Sequence, residues 1–167
     1  NAHPHMDEHG EIAIIHNGII ENYAELQREL TAKGHTLSSD VDTEVIAHLI
    51  HRIRETEGGS LVAAVARAVS RFEGAYALAV ISSKEPEVMV GVRHGSPLVL
   101  GVGIEENFLA SDQMALRQVT DRFVFLEEDD LVEIRRDGFT LRDGGGEIVE
   151  RPIARLEGNT GVADRGG

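Results

Sequence analysis

The chain has 167 residues, no cysteine, 4% aromatic residues and a net charge of −13. A length of this order supports one domain that buries roughly 70% of its unfolded surface, here with an aliphatic core. The acidic surface repels nucleic-acid phosphates, disulfides and cysteine nucleophiles are excluded within these residues, and the longest strongly apolar run, "AYALAVI", is too short to span a bilayer. With no signal peptide visible, a cytoplasmic location without nucleic-acid or membrane partners is expected.

In chain order, the opening "NAHPH" begins with Asn rather than Met and reads as a sequence cut in mid-domain. Residues 11–16, "EIAIIH", form a predicted buried strand. Beyond Asn17-Gly18, apolar positions at Ile20, Tyr23, Leu26 and Leu30 have helical spacing, and Gly34 stops the helix. Residues 35–38 fit a short extended piece. "SSDVD" predicts a capped entry to a helix whose apolar face is Val45, Ile46, Leu49, Ile50 and Ile53. Gly58-Gly59 end it, and Ser60 caps a third helix carrying Leu61, Val62, Val65, Val69 and Phe72.

From Gly74 the pattern turns to strands: "AYALAVIS", "EVMVGVR", "PLVLGV", "NFLAS", "RFVFL", "LVEIRR", "FTLRD" and "EIVERPI". A helical turn, "DQMALRQV", interrupts them, and Asp137-Gly138 and Gly144-Gly145-Gly146 mark turns. Helices early and strands late predict an α+β fold with mostly antiparallel sheets. Residues 1–155 are read as the domain, and 156–167, "LEGNTGVADRGG", as a linker or tail.

Asn17-Gly18 has two readings. Asn-Gly between strands is a strong hairpin signal. At a strand-to-helix corner, the Gly18 N–H and the Asn17 amide instead supply two donors converging on one point, as an oxyanion hole requires. Asp42 either caps the helix that follows or presents a carboxylate to a ligand ammonium. At ~4 Å and an effective dielectric near 20, that attraction is on the order of 4 kcal/mol before desolvation.

Other polar clusters are weaker signals. His3, His5, His9, His48 and His51 are read as surface or packing histidines, with a metal site as the lesser alternative. "GVGIEEN" is a turn rather than a dinucleotide loop. The acidic run 127–130, "EEDD", is read as a solvated turn, with cation binding the lesser alternative. No metal or cofactor is expected.

Taken in order, "NAHPH", "HNGIIENYAELQRELTAKGH", "SDVDTEVIAHLI", "EGAYALAVI", "GSPLVLGVG", "NFLASDQMAL" and "FLEEDDLVEI" closely resemble one family. It is the glutamine amidotransferase domain of the isomerising glutamine–fructose-6-phosphate aminotransferases, or glucosamine-6-phosphate synthases. The amidophosphoribosyltransferases share the "HNG" corner but not "SDQMAL" or "DTEVIAHLI" in this form. The resemblance runs from Asn1 to about Ile153.

The resemblance implies an N-terminal-nucleophile hydrolase fold, two antiparallel sheets between helical layers, here lacking its N-terminal strands. It implies an amino-terminal cysteine that attacks the side-chain amide of glutamine, releasing ammonia and then glutamate. A separate sugar isomerase domain uses the ammonia to convert fructose 6-phosphate to glucosamine 6-phosphate, in an enzyme that is usually a homodimer. Position by position, Asn17 and Gly18 match the oxyanion-hole pair. Asp42 matches the carboxylate that holds the glutamine ammonium, to which Gly18 also offers its carbonyl. His3 matches a histidine near the active site.

The sequence departs from that pattern at the nucleophile. The family's nucleophile is its first residue, whereas the first residue here is Asn1, and no cysteine exists elsewhere in these residues. The expectation is therefore an excerpt of a larger enzyme, inactive on its own. The alternative is a non-catalytic domain that keeps a glutamine pocket or only an interaction surface.

Overall fold

The computed structural model describes residues 5–6, 11–35, 37, 42–104 and 106–155, with residues 5, 6 and 42 described by their backbone alone. The expected extended piece at 35–38 and the tail at 156–167 lie wholly or partly outside the described residues.

Sheet A has the order β1 (His5–Met6), β2 (Ile12–Ile20), β3 (Gly74–Ser82), β4 (Met89–His94), β8 (Leu131–Arg135), β9 (Gly138–Arg142), β10 (Ile148–Val149). Sheet B has the order β11 (Ala154–Arg155), β7 (Arg122–Phe125), β5 (Val99–Val102), β6 (Asn107–Ala110). Every strand pair in both sheets is antiparallel. Among the described residues, helices α1 (Tyr23–Ala32), α2 (Asp42–Glu57) and α3 (Leu61–Val69) precede β3, and a 3-10 turn spans Gln113–Leu116. The α+β architecture expected from helices early and strands late is the one observed.

The period of two along the strands builds two cores. Ile12, Ile14 and Ile20 of β2, Leu78 and Val80 of β3 and Val90 and Val92 of β4 join Val45, Ile46, Ile50, Leu61 and Val65 beneath the helices. The opposite parity, Ala77, Val132, Ile134 and Leu141, meets Leu100 and Val124 of sheet B. A third, smaller cluster of Val99, Leu116 and Phe123 seats the 3-10 turn on the outer side of sheet B. Burial of each large aliphatic side chain contributes ~1.5–3 kcal/mol, so these clusters are the main source of stability.

Helix ends follow from sequence. Ser60 accepts a hydrogen bond from the Ala63 N–H at 3.2 Å and caps α3 as predicted. Gly58 (φ +72°) closes α2, its N–H reaching the Arg54 carbonyl at 2.9 Å.

Sheet B does not cover the far side of β2. The register pairs Ala13 with Ile81, Ile15 with Ala79, Asn17 with Ala77 and Ile19 with Ala75. On that face Ile15, Ile19 and Ile81 are 44%, 64% and 48% exposed. Asn17 thus stands on an open, otherwise apolar sheet face.

Candidate active site

The strand carrying Asn17-Gly18 is longer than its sequence suggested. β2 continues to Ile20, and α1 begins only at Tyr23. The pair is therefore neither a hairpin turn nor a strand-to-helix corner. It lies inside a strand whose register with β3 runs unbroken from Ile12↔Ser82 to Ile20↔Gly74. The helical spacing misled at Ile20, because a buried strand residue and the first core residue of a helix look alike in sequence.

Gly18 has φ +95°, a left-handed backbone within a strand. A Cβ there would lie 2.1 Å from the Ala75 carbonyl oxygen and 2.8 Å from the Tyr76 Cα. Only glycine fits, for both reasons. From the other strand, Gly95 (φ +86°) approaches Ala75 so closely that a Cβ would sit 2.6 Å from the Ala75 Cβ. Ala75 and Tyr76 are thereby clamped between two glycine backbones, and Gly18 rests on a rigid floor. Beside it, the Asn17 side chain is exposed and makes no hydrogen bond among the described residues.

The chain leaving β2 is also fixed. The Glu21 N–H donates to the Glu73 carbonyl at 2.7 Å. Asn22 donates from Nδ2 to the Arg71 carbonyl at 2.8 Å and accepts from the Glu73 N–H at 3.0 Å.

Asp42 is the first helical residue of α2, and its side chain lies outside the described residues. Its backbone is held toward β2 by the neighbouring residues on each element. His16 Nδ1 and Thr43 Oγ1 are hydrogen-bonded at 3.1 Å. The strand position before Asn17 is thus tied to the helix position after Asp42. His3 lies outside the described residues.

Histidines 48 and 51 are buried in the packing of α2, as the sequence suggested, at 1% and 3% exposure. His48 Nε2 lies 3.6 Å from Glu44, and His51 Nε2 lies 3.1 Å from Glu55. His48 Nδ1 also meets His35 Nδ1 at 3.2 Å.

The acidic run 127–130 is not a simple solvated turn. Asp130 is fully buried. It accepts from Arg151 Nε at 2.9 Å and Nη2 at 2.8 Å, and from the Glu127 N–H at 2.8 Å. The hydrogen bonds that Arg151 donates to Asp130 hold its guanidinium above its ordinary pKa. The run looked solvated because its cation comes 21 residues later. Its other members, Glu127, Glu128 and Asp129, are exposed.

Sequence reasoning missed the neighbourhood of Tyr76. Its ring packs on His94 with centroids 5.2 Å apart, and burial, followed by the nearby Asp129 and Glu128 charges, pushes its hydroxyl up to about 12. The one available signal was "RHGSP", where a histidine and a glycine meet at a strand end. A groove of about 800 Å³ between Ile81, Met89, Asn107 and Arg135 includes neither Asn17 nor Gly18.

Comparison with known proteins accords with this architecture. The glutamine phosphoribosylpyrophosphate (PRPP) amidotransferase from B. subtilis superposes with a TM-score of 0.72 at 23% identity, covering 89% of this chain and 32% of that one. The allosteric regulatory enzyme of purine biosynthesis gives 0.71 at 22%, covering 86% and 31%. The shared fold is the N-terminal-nucleophile hydrolase sandwich.

In sequence, the glutamine–fructose-6-phosphate aminotransferase (isomerizing) of Pseudomonas putida is 51% identical over 166 residues, covering 99% of this chain and 27% of that protein. The same enzyme from Idiomarina loihiensis is 52% identical over 157 residues, covering 94% and 25%. The chain therefore spans about a quarter of the length of the curated relatives it matches. A family model described as "Glutamine amidotransferase domain" matches residues 1–118, and the chain belongs to that family.

Proposed function

We propose that these residues form part of the glutaminase unit of an amidotransferase that makes glucosamine 6-phosphate. The observation that carries the reading is the Asn17-Gly18 pair. An exposed amide with no hydrogen bond among the described residues stands beside a backbone that tolerates only glycine. A donor left unused on an open face is suited to a group that arrives later.

When a nucleophile adds to the side-chain carbonyl of glutamine, the carbonyl oxygen becomes an oxyanion. The Asn17 NH2 and the Gly18 N–H stabilise it, and donors placed beforehand need no reorganisation as charge develops. Collapse of the adduct expels ammonia and leaves an acyl-enzyme, which water converts to glutamate. Asp42 pairs with the substrate ammonium, assisted by the Gly18 carbonyl, and His3 borders the site. The attacking group in this reading is a cysteine thiol outside these 167 residues, which contain none. Ammonia passes to a sugar isomerase domain of the same enzyme, a homodimer, which aminates fructose 6-phosphate.

The test compares the longer protein carrying this domain with its Asn17→Ala variant. Loss of one oxyanion donor lowers kcat for glutamine hydrolysis by about 10²–10³ and changes KM far less. The 167 residues alone release no glutamate. Undiminished kcat in Asn17→Ala rejects the oxyanion role. A longer protein that binds glutamine without hydrolysing it points instead to the non-catalytic alternative.

A further inference from the structure

We propose that His94, Glu128 and Asp129 form a binding site for one divalent transition-metal ion of the zinc class. The site is built where the end of β4 meets the 127–130 turn. His94 Nδ1 and one oxygen from each carboxylate all lie within 4.8 Å of one another. His94 Nδ1 is 3.5 Å from Glu128 Oε2 and is hydrogen-bonded to Asp129 Oδ1. Metal–ligand bonds of about 2.0–2.2 Å at tetrahedral angles place neighbouring donors roughly 3.3–3.5 Å apart. The His94–Glu128 spacing already meets this, and a small outward movement of Asp129 meets it as well.

Each donor is oriented by a separate part of the fold. The His94 ring is fixed against Tyr76. Glu128 Oε1 is engaged by the Gly95 N–H at 3.0 Å and faces Arg93 Nε at 3.9 Å, which leaves Oε2 as the oxygen turned to His94. Asp129 is held by its own N–H, which donates to the Arg93 carbonyl at 2.9 Å. Supporting contacts that fix ligand orientation are a general feature of metal sites. Arg93 offsets part of the Glu128 charge, but it acts on the opposite oxygen.

Three protein donors leave a fourth position for water, on a partly exposed rim that ions reach directly. One imidazole nitrogen and two carboxylates, without thiolate, suit zinc and its neighbours among the later divalent metals. The ion takes the place of the hydrogen bond between His94 and Asp129, and coordination through Nδ1 leaves the ring N–H on Nε2. Once bound, it ties the 127–130 turn to β4 beside Gly95, which packs on Ala75 beneath Gly18.

The test is isothermal titration of the chain with zinc chloride, repeated on His94→Gln, Glu128→Gln and Asp129→Asn. Asparagine tolerates the left-handed backbone of Asp129 (φ +69°), and glutamine keeps an acceptor for the Gly95 N–H. Circular dichroism confirms that each variant is folded. The expected result is saturable binding with each variant weakened at least about tenfold. If other histidines among the eight also take zinc, the stoichiometry falls by one ion instead. A zinc-dependent rise in Tm, present in the parent and absent in Glu128→Gln and Asp129→Asn, is the second readout. No saturable binding to the parent, or binding with unchanged affinity and stoichiometry in folded variants, overturns the proposal.

Discussion

Replacing Gly18 by alanine tests whether the strand pair beneath the candidate oxyanion site is as closely set as it looks. Two effects add. The first is conformational: a left-handed alanine costs roughly 1–2 kcal/mol. The second is steric, because the new Cβ would lie 2.1 Å from the Ala75 carbonyl oxygen and 2.8 Å from the Tyr76 Cα. Both obstacles are backbone atoms, so no side-chain rotation relieves them. β3 must move by more than 1 Å, about the gap between 2.1 Å and an ordinary contact of ~3.4 Å. That strains at least two ladder hydrogen bonds, each contributing about 0.5–1.5 kcal/mol.

The sum is ~2–5 kcal/mol, a large part of the roughly 5–15 kcal/mol that holds a domain together. Gly34 supplies the control. Its φ is +94°, almost the same, but nothing lies within 4 Å of its would-be Cβ. Gly34→Ala therefore carries only the conformational cost. By urea denaturation followed by circular dichroism, Gly18→Ala should lose ~1–3 kcal/mol more than Gly34→Ala. In a thermal melt the difference is on the order of 2–12 °C for a chain this long. Equal losses in the two variants would refute the close approach of β2 and β3.

Glu29 is held down to about 2, against an ordinary 4.5, by hydrogen bonds from Arg71 first and Lys33 second. A depressed carboxyl stabilises the fold above its ordinary pKa and loses that contribution as pH falls toward the folded value. The parent should therefore exceed Glu29→Gln by up to about 1 kcal/mol at pH 7, the half-exposed ion pair being screened by solvent, and the gap should close between about pH 5 and pH 2. A gap that is independent of pH contradicts this. Arg151→Met leaves the buried Asp130 carboxylate without its cation and should lower Tm, whereas adding Asp130→Leu should recover part of the loss. A double variant melting below the single one counts against burial of an unpaired charge as the cause. Ile15, Ile19 and Ile81 form an exposed apolar strip, so the chain should self-associate as concentration rises, and Ile19→Lys should suppress it in sedimentation velocity. Concentration-independent sedimentation of the parent would refute that reading.

The parts legible from sequence were those set by local rules. Ser60 announced its cap, and Gly58-Gly59 the end of α2. Helical spacing named Val45, Ile46, Leu49, Ile50, Ile53, Leu61 and Val65 of the core beneath the helices, because those positions share one face of α2 or α3. Relations between distant residues were not legible. Nothing in "EEDD" shows that Asp130 is buried, since Arg151 arrives from the segment between β10 and β11. Nothing in "HNGIIE" shows that β2 runs through the pair, since the pairing partner Tyr76-Ala77 lies nearly sixty positions on.

The same distinction governs the candidate site. A motif gives the identity of Asn17 and Gly18, but not why that glycine is fixed. The reason lies in Ala75, whose carbonyl occupies the space a Gly18 side chain would need, and in Gly95, whose bare backbone allows Ala75 to be pressed that close. The left-handed conformation of Gly18 is thus set by two other strands. It follows that the geometry of the Asn17-Gly18 donors should respond to substitution at Gly95, a residue just past the end of β4 with no place in the reaction itself. Gly95→Ala in the longer protein should lower kcat for glutamine hydrolysis with little change in KM, as displacing a transition-state donor does. An unchanged kcat would mean that β2 holds Gly18 without help from β4.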